Sequence, residues 1–340
     1  MDPARMNRRA PEWQVWTALL IVYFVWGSTY LAISVVDETM PPLLAAGLRH
    51  LAAGTILFAL LIATRKGHAL RLSRSEWLGA GFVGLALLLG GNGLVVLAET
   101  SVPSGLTALI IASVPLFVVL LRRAFGERVA LGTYLGVAVG FAGVAVLVVP
   151  HGINGSVSLV GMLMLIGASL SWAIGSYFSR RVTLPRDPLA STGGQMLVGG
   201  GSLLLVGLLT GESGQVMFES FSSASVVALL YLIVFGSVLA YTAYTWLLQN
   251  ASVSRVSTYA YVNPLVAIFL GSVLLQEQID AFIVIGAAMI VAAVIVVVRT
   301  EASRAAAARA GAAQAALAEN APPAEPPTAE SSERPAASAD

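Results

Sequence analysis

Ten stretches of this chain are long and apolar enough to cross a bilayer, and that fact constrains its fold more than any other. They fall at roughly 14–35, 43–64, 77–98, 104–122, 130–150, 158–179, 190–210, 225–248, 256–275 and 281–298. A spanning helix needs ~20 mostly apolar residues to cross ~30 Å of hydrocarbon. With no water in that layer, every backbone N–H and C=O must be satisfied internally, and a continuous apolar run does so as a helix. Composition agrees: 57% of the 340 residues are hydrophobic and 11% charged, where a soluble domain has roughly a quarter charged. A soluble chain this poor in charge could not cover its own surface. Arg5, Arg8 and Arg9 precede the first run, which is too long for a cleavable signal peptide and lacks an A-x-A-like site. The expected fold is an all-α integral membrane protein whose solvent is lipid.

Orientation follows from the basic residues, which favour cytoplasmic loops. With the N-terminus in the cytoplasm, Arg65, Lys66, Arg71, Arg74, Arg122, Arg123, Arg128, Arg180, Arg181, Arg186, Arg255 and Arg299 all fall on one side. The opposite loops hold Asp37, Glu38, Glu212, Glu219, Glu277 and Asp280, without a Lys or Arg. Both termini are then cytoplasmic. Residues 1–13 form a short cytoplasmic N-terminus. Residues 299–340 are rich in Ala, Pro, Glu and Ser, offer no apolar face to bury, and are expected to be a disordered cytoplasmic tail.

The two halves, 14–150 and 151–298, resemble each other. Trp26 aligns with Trp172, and Arg49-His50-Leu51-Ala52-Ala53-Gly54 with Gln195-Met196-Leu197-Val198-Gly199-Gly200. Farther on, Ser113-Val114-Pro115-Leu116 aligns with Val262-Asn263-Pro264-Leu265. Each half has five spans, an odd number, so the second half enters from the opposite face. Such halves become inverted copies about an axis in the membrane plane, with a solute site near the midplane between them.

Trp26-Gly27-Ser28-Thr29-Tyr30, the run AETSVPSGLTALIIASVPLF (98–117), SWAIGSYFSRR (171–181) and STYAYVNPLVAIFLG (257–271) together resemble the EamA family of the drug/metabolite transporter superfamily. The match is closest to its YedA-like branch of bacterial inner-membrane proteins. It covers about residues 14–298, as two EamA repeats. The resemblance implies ten helices in two inverted five-helix repeats, a central cavity lined by spans 1–4 and 6–9, and secondary transport, often export, of small metabolites, amino acids or amphiphilic drugs. It supplies no particular solute.

Ionisable and polar groups inside spans are costly and point to function. Arg49, near the outer end of span 2, is a candidate to hold a solute carboxylate or phosphate through its planar fork. The competing reading is a permanent ion pair with Glu99 or Asp37. Glu99 is a candidate for proton coupling if desolvated; the Ser101, Pro103 and Ser104 after it read instead as a turn, making it an exposed loop acid. Tyr23, Trp26 and Tyr30 share one face of span 1, and Trp26 with Trp172 would flank the cavity from both halves, suiting apolar or cationic solutes. Asn92, Gln195, Tyr241, Tyr244, Tyr261 and Asn263 are further candidates, each also suited to joining helices. Pro115 and Pro264 are expected kinks and hinges. Gly132, Gly136 and Gly140 favour close helix contact, within the fold or in a homodimer.

Other functions find no support. There is no Walker motif, Lys66 is the only lysine, and His50, His68 and His151 are too scattered for a metal site. The absence of Cys excludes thiolate and disulfide chemistry. No basic patch with interleaved aromatics suggests nucleic acid, and no cofactor is expected. The partners expected are a small-molecule solute and lipid. Two alternatives stand beside the carrier: an intramembrane enzyme, which lacks a paired nucleophile and base, and a receptor or scaffold using the 299–340 tail.

Overall fold

The structure, a computed structural model, describes residues 11–64, 66–127, 129–153, 157–251, 256 and 259–319. It divides into two units, Met1–Glu301 and Ala302–Asp340. The first unit is helical throughout its described membrane segments. Nine of its helices, among the described residues, are long and apolar enough to span: α1 (Glu12–Asp37), α2 (Pro42–Ala63), α3 (Arg74–Glu99), α4 (Ser104–Ala124), α5 (Leu131–Ile153), α6 (Leu159–Phe178), α7 (Pro188–Leu209), α8 (Ser223–Leu248) and α10, whose apolar part is Ala281–Thr300. The ninth in order, α9 (Tyr259–Leu274), is a shorter apolar helix. Large apolar side chains such as Leu48, Leu205, Leu265 and Phe269 are exposed and form a surface suited to lipid.

Between helices in lipid there is little hydrophobic drive, so close backbone approach and hydrogen bonds hold the bundle. The sequence supplies both. Where α2 crosses α7, a Cβ on Gly54 would lie 3.1 Å from the Gly193 carbonyl oxygen, and a Cβ on Gly200 would lie 3.0 Å from that of Gly47. The glycine stripe of α5 does the same against α10: a Cβ on Gly143 would meet Gly286 O at 3.2 Å, and one on Gly286 would meet Gly143 O at 3.2 Å. Gly136 and Gly140 face the same helix, a Cβ on Gly136 lying 3.3 Å from Ala293 O and one on Gly140 3.2 Å from Ala293 Cβ.

Two carboxylates of the second half, on the side opposite the arginine-bearing loops, cap helices of the first half. Glu212, after α7, accepts from the N–H groups of Leu43 (3.2 Å) and Leu44 (2.9 Å) at the start of α2. Glu277, before α10, accepts from Ser104 N (2.7 Å), Ser104 Oγ (2.7 Å) and Gly105 N (2.9 Å) at the start of α4. A helix N-terminus leaves unpaired N–H groups and carries partial positive charge, so a carboxylate there satisfies both.

Three spans widen into π-helical turns: Val22–Trp26 in α1, Leu85–Gly93 in α3 and Leu232–Tyr241 in α8. The last two occupy corresponding places in the two halves. Such turns recur at functional sites, and here they carry Trp26, Asn92 and Tyr241. The expected kinks differ from one another. α4 breaks after Ile111 and resumes at Val114, with Pro115 in the first turn of the new segment, where its missing N–H leaves no bond unmade. α9 runs on through Pro264 without interruption.

α10 is helical over Ala281–Glu319 and so runs past the last apolar span into the alanine-rich stretch. Its alanines lose little side-chain entropy in a helix. Residues 320–340 lie outside the described residues.

Candidate functional site

A cavity of about 70 Å³ lies within the first unit, walled by α1, α2, α3, α4, α6, α8 and α9 and, among the described residues, by none of α5, α7 or α10. Its volume suits on the order of five waters, so a larger solute needs the walls to part.

Trp26 sits at the centre of one wall. Its ring lies 5.7 Å from Trp172 edge-to-face, 4.8 Å from Tyr244, 5.6 Å from Tyr259 and 6.2 Å from Tyr241. Its indole N–H donates to Gly236 O at 3.2 Å, which fixes the ring's rotation. Trp172 reaches the cavity because α3 offers no side chain at Gly91, where a Cβ would come within 2.8 Å of its ring. The Trp26–Trp172 juxtaposition expected from the repeat is thus present.

Arg49 is buried at 5% exposure. Its Nε donates to Ser237 Oγ at 2.8 Å, while Nη1 is buried with no partner. No ion pair joins it to Glu99 or Asp37 among the described residues, so the permanent pair that the sequence allows is absent. His50, the next residue, shares a hydrogen bond of 3.1 Å between its Nε2 and Asn92 Oδ1, and both line the cavity. Asn263 lines it too; the carbonyls of Tyr23 and Tyr259 lie 3.1 and 3.3 Å from its amide end, so the orientation that satisfies them places Nδ2 there as donor.

The other candidates divide. Tyr30 and Tyr241 line the cavity. Gln195 does not; it stands behind Tyr241, whose hydroxyl donates to Gln195 Oε1 at 2.9 Å. The side chain of Tyr261 lies outside the described residues. Glu99 is no exposed loop acid: it ends α3 at 7% exposure, with both carboxylate oxygens buried and unpartnered. The turn signal after it is real, but α3 continues to Glu99 before the chain turns.

Sequence reasoning missed Thr29, His50 and Tyr259 as cavity residues, and Ser237 as the partner of Arg49. The adjacency of Arg49 and His50 within one span is a usable signal for the histidine. Nothing in a single sequence marks Ser237.

Comparison with known proteins agrees with this architecture. The model of the EamA-like transporter family matches residues 14–149 and again 159–299. The chain is 39% identical over 264 residues to the "Uncharacterized inner membrane transporter YedA" of Escherichia coli (strain K12), covering 77% of this chain and 83% of that protein. It is 28% identical over 285 residues to the "Uncharacterized transporter YvbV" of Bacillus subtilis (strain 168), covering 81% and 89%. It is 26% identical over 283 residues to the "Probable amino-acid metabolite efflux pump" of Escherichia coli (strain K12), covering 80% and 90%. A solved crystal structure shares the fold at a TM-score of 0.60 and 22% identity, over 86% of this chain and 98% of the other. With two family repeats folded around one cavity, the chain belongs to the EamA-like transporter family and is a multi-pass membrane transporter of small molecules.

Proposed function

We propose that the chain is a secondary carrier of the bacterial inner membrane that exports small organic solutes bearing an anionic group on an apolar or aromatic body. The observation that carries this reading is Arg49: its Nη1 is buried without a partner on a helix that walls an aromatic-lined cavity. A buried guanidinium left half-satisfied is costly, and a solute carboxylate would complete it. Trp26, Tyr30, Trp172 and Tyr241 would pack the body of the solute, with Asn92 and Asn263 reading its polar groups and Gln195 supporting Tyr241. Tyr261 belongs to the same proposed set by sequence alone.

The cycle is alternating access, one repeat rocking against the other around this site. Pro115, at the break in α4, serves as a hinge, and Pro264 as its counterpart. Glu99 couples the cycle to protons, since a carboxylate buried without partners must bind or release one when its surroundings change. The arginine-bearing loops and both termini face the cytoplasm. The membrane helices work as a carrier rather than a catalyst, and neither a homodimer nor the 299–340 tail has a part in the step itself.

Flux from proteoliposomes tests this. Efflux of a panel of aromatic and aliphatic amino acids and carboxylates is measured with and without a pH gradient. Arg49→Met should abolish flux of anionic solutes while leaving a monodisperse protein, and Glu99→Gln should remove the effect of the gradient. Unchanged flux in Arg49→Met would refute the site.

A further inference from the structure

The cavity around Trp26 has a neighbour. A second cavity of about 560 Å³ lies on the arginine-bearing side, between α3, α7, α8 and the α6–α7 connection. Val83, Leu87 and Leu184 give it apolar walls, and Arg180 and Arg186 line it. Tyr241 lines the central cavity and Gln195 lines this one, and their 2.9 Å hydrogen bond spans the partition between them. Gln195 is held in turn, its Nε2 donating to Ser191 Oγ at 3.1 Å. Consecutive residues of α3 complete the partition, Leu87 facing the second cavity and Leu88 the first.

The acids around the second cavity are engaged elsewhere, and none pairs directly with its two lining arginines among the described residues. Asp187 is committed to capping α7, accepting from Leu189 N at 2.9 Å and Ala190 N at 3.4 Å. Glu76 accepts from Ser73 N and Ser73 Oγ, each at 2.8 Å. Glu127 holds Arg122 at 2.7 Å and Arg181 at 2.6 Å. Arg180, by contrast, donates among the described residues only to Leu248 O, at 2.8 Å. Arg186 makes no hydrogen bond or ion pair among the described residues. Partial burial draws the Arg180 guanidinium below its ordinary pKa, a sign that water does not fully solvate it. Cytoplasmic loops favour arginine in general. That rule does not explain an apolar cavity beneath two guanidinium groups that lack a direct carboxylate partner and lie beside the solute site.

We propose that the second cavity is an access subsite for organic anions, whose charged end is held by Arg180 and Arg186, and that the Tyr241–Gln195 hydrogen bond is the door between it and Arg49. This rests on the carrier reading above and deepens it. A guanidinium fork suits a carboxylate or phosphate, and a cavity lined by one sign of charge concentrates ions of the other. A single neutral hydrogen bond between helices is weak enough to open in each cycle.

The natural chain has no cysteine, so an introduced thiol is the only one. Leu184→Cys reports on the second cavity and Ala168→Cys on the central one. Each is labelled in inside-out vesicles with an anionic (sulfonatoethyl) or cationic (trimethylammonioethyl) methanethiosulfonate. Leu184→Cys should favour the anionic reagent by roughly tenfold, as a focusing cavity predicts. Arg180→Gln with Arg186→Gln should erase that preference, and the two Lys variants should retain most of it. Tyr241→Phe should speed labelling of Ala168→Cys by roughly tenfold, an interhelical bond being lost, and leave Leu184→Cys unchanged. A preference indifferent to both arginines, or an Ala168→Cys rate indifferent to Tyr241, overturns the proposal. A preference that appears only in vesicles without anionic lipid assigns the arginines to lipid headgroups and also overturns it. Because the probes are not solutes, a failure of the carrier reading shows separately, as absent flux with labelling intact.

Discussion

Gly54 and Gly193 meet where α2 crosses α7, and the contact is repeated in mirror order by Gly47 and Gly200. Gly47 and Gly193 hold equivalent places in the two halves, as do Gly54 and Gly200, so each contact is the image of the other under the inverted repeat. Self-complementary contacts of this kind mark a two-fold relationship, here between two halves of one chain. A side chain at Gly200 would press on Gly47 O and Leu51 N, backbone atoms that cannot rotate away. Gly200→Val should cost about 1–3 kcal/mol, as overpacking does, read as a lower unfolding temperature in detergent. Gly201→Ala, next to it but with nothing within 4 Å of its Cβ, should be neutral or slightly stabilising. Equal melting of both variants would contradict the crossing.

Trp26 touches four aromatic rings and anchors one wall of the cavity. Trp26→Ala should lose flux and about 3–5 kcal/mol of stability, the range for large aromatic truncations in a core. Trp26→Phe keeps a ring but not the N–H that bonds Gly236 O. It should fold, and transport with a raised KM and a nearly unchanged maximal rate. A normal KM in Trp26→Phe would place the solute elsewhere.

Range separates the legible parts of the sequence from the hidden ones. Ten apolar runs and the arginine segregation are local patterns, and the helices follow them. The Trp26–Trp172 contact is legible because the repeat offset turns one position into two. The loop-acid reading of Glu99 fails because Ser101, Pro103 and Ser104 signal a turn without saying what packs over the residue before it. An acid is the natural partner to seek for Arg49, yet its partner is the hydroxyl of Ser237 on α8, a residue with no distinguishing mark. The π-helical turns that aim Asn92 and Tyr241 inward shift the helical phase midway, so a face count begun at either end of the span misplaces the residues beyond the turn.

Glu277 ties the two repeats on the acidic face. It accepts three hydrogen bonds at the start of α4, two from backbone N–H groups. Removing a charged acceptor leaves those donors unsatisfied, which costs about 1–3 kcal/mol. Glu277→Ala should therefore lower the unfolding temperature and open the first turn of α4 to faster amide exchange at Gly105. Glu277→Gln presents an N–H₂ where an acceptor is needed and should recover only part of the loss. Full recovery by Gln would mean that shape, not the second acceptor oxygen, holds the turn.

Glu127 makes the corresponding link on the arginine-bearing face, joining Arg122 in the last turn of α4 to Arg181 after α6. Burial alone would raise its carboxyl pKa, but the hydrogen bonds and charge of Arg122 and Arg181 outweigh it and hold the group below its ordinary range. A carboxyl depressed in the folded state stabilises fully above its unfolded pKa, roughly 4.3, and loses that contribution as pH falls through the lower folded value. The side chain is 35% exposed, so the pairs are screened and are together worth at most ~1 kcal/mol or a little more. Glu127→Gln should then melt slightly below the natural protein at pH 7, and the gap should close toward pH 3 and also in high salt at pH 7. A gap that persists at pH 3 would show that Glu127 acts through shape and neutral hydrogen bonds. The Arg181 guanidinium would then be held mainly by the Tyr177 ring, 3.6 Å beneath it.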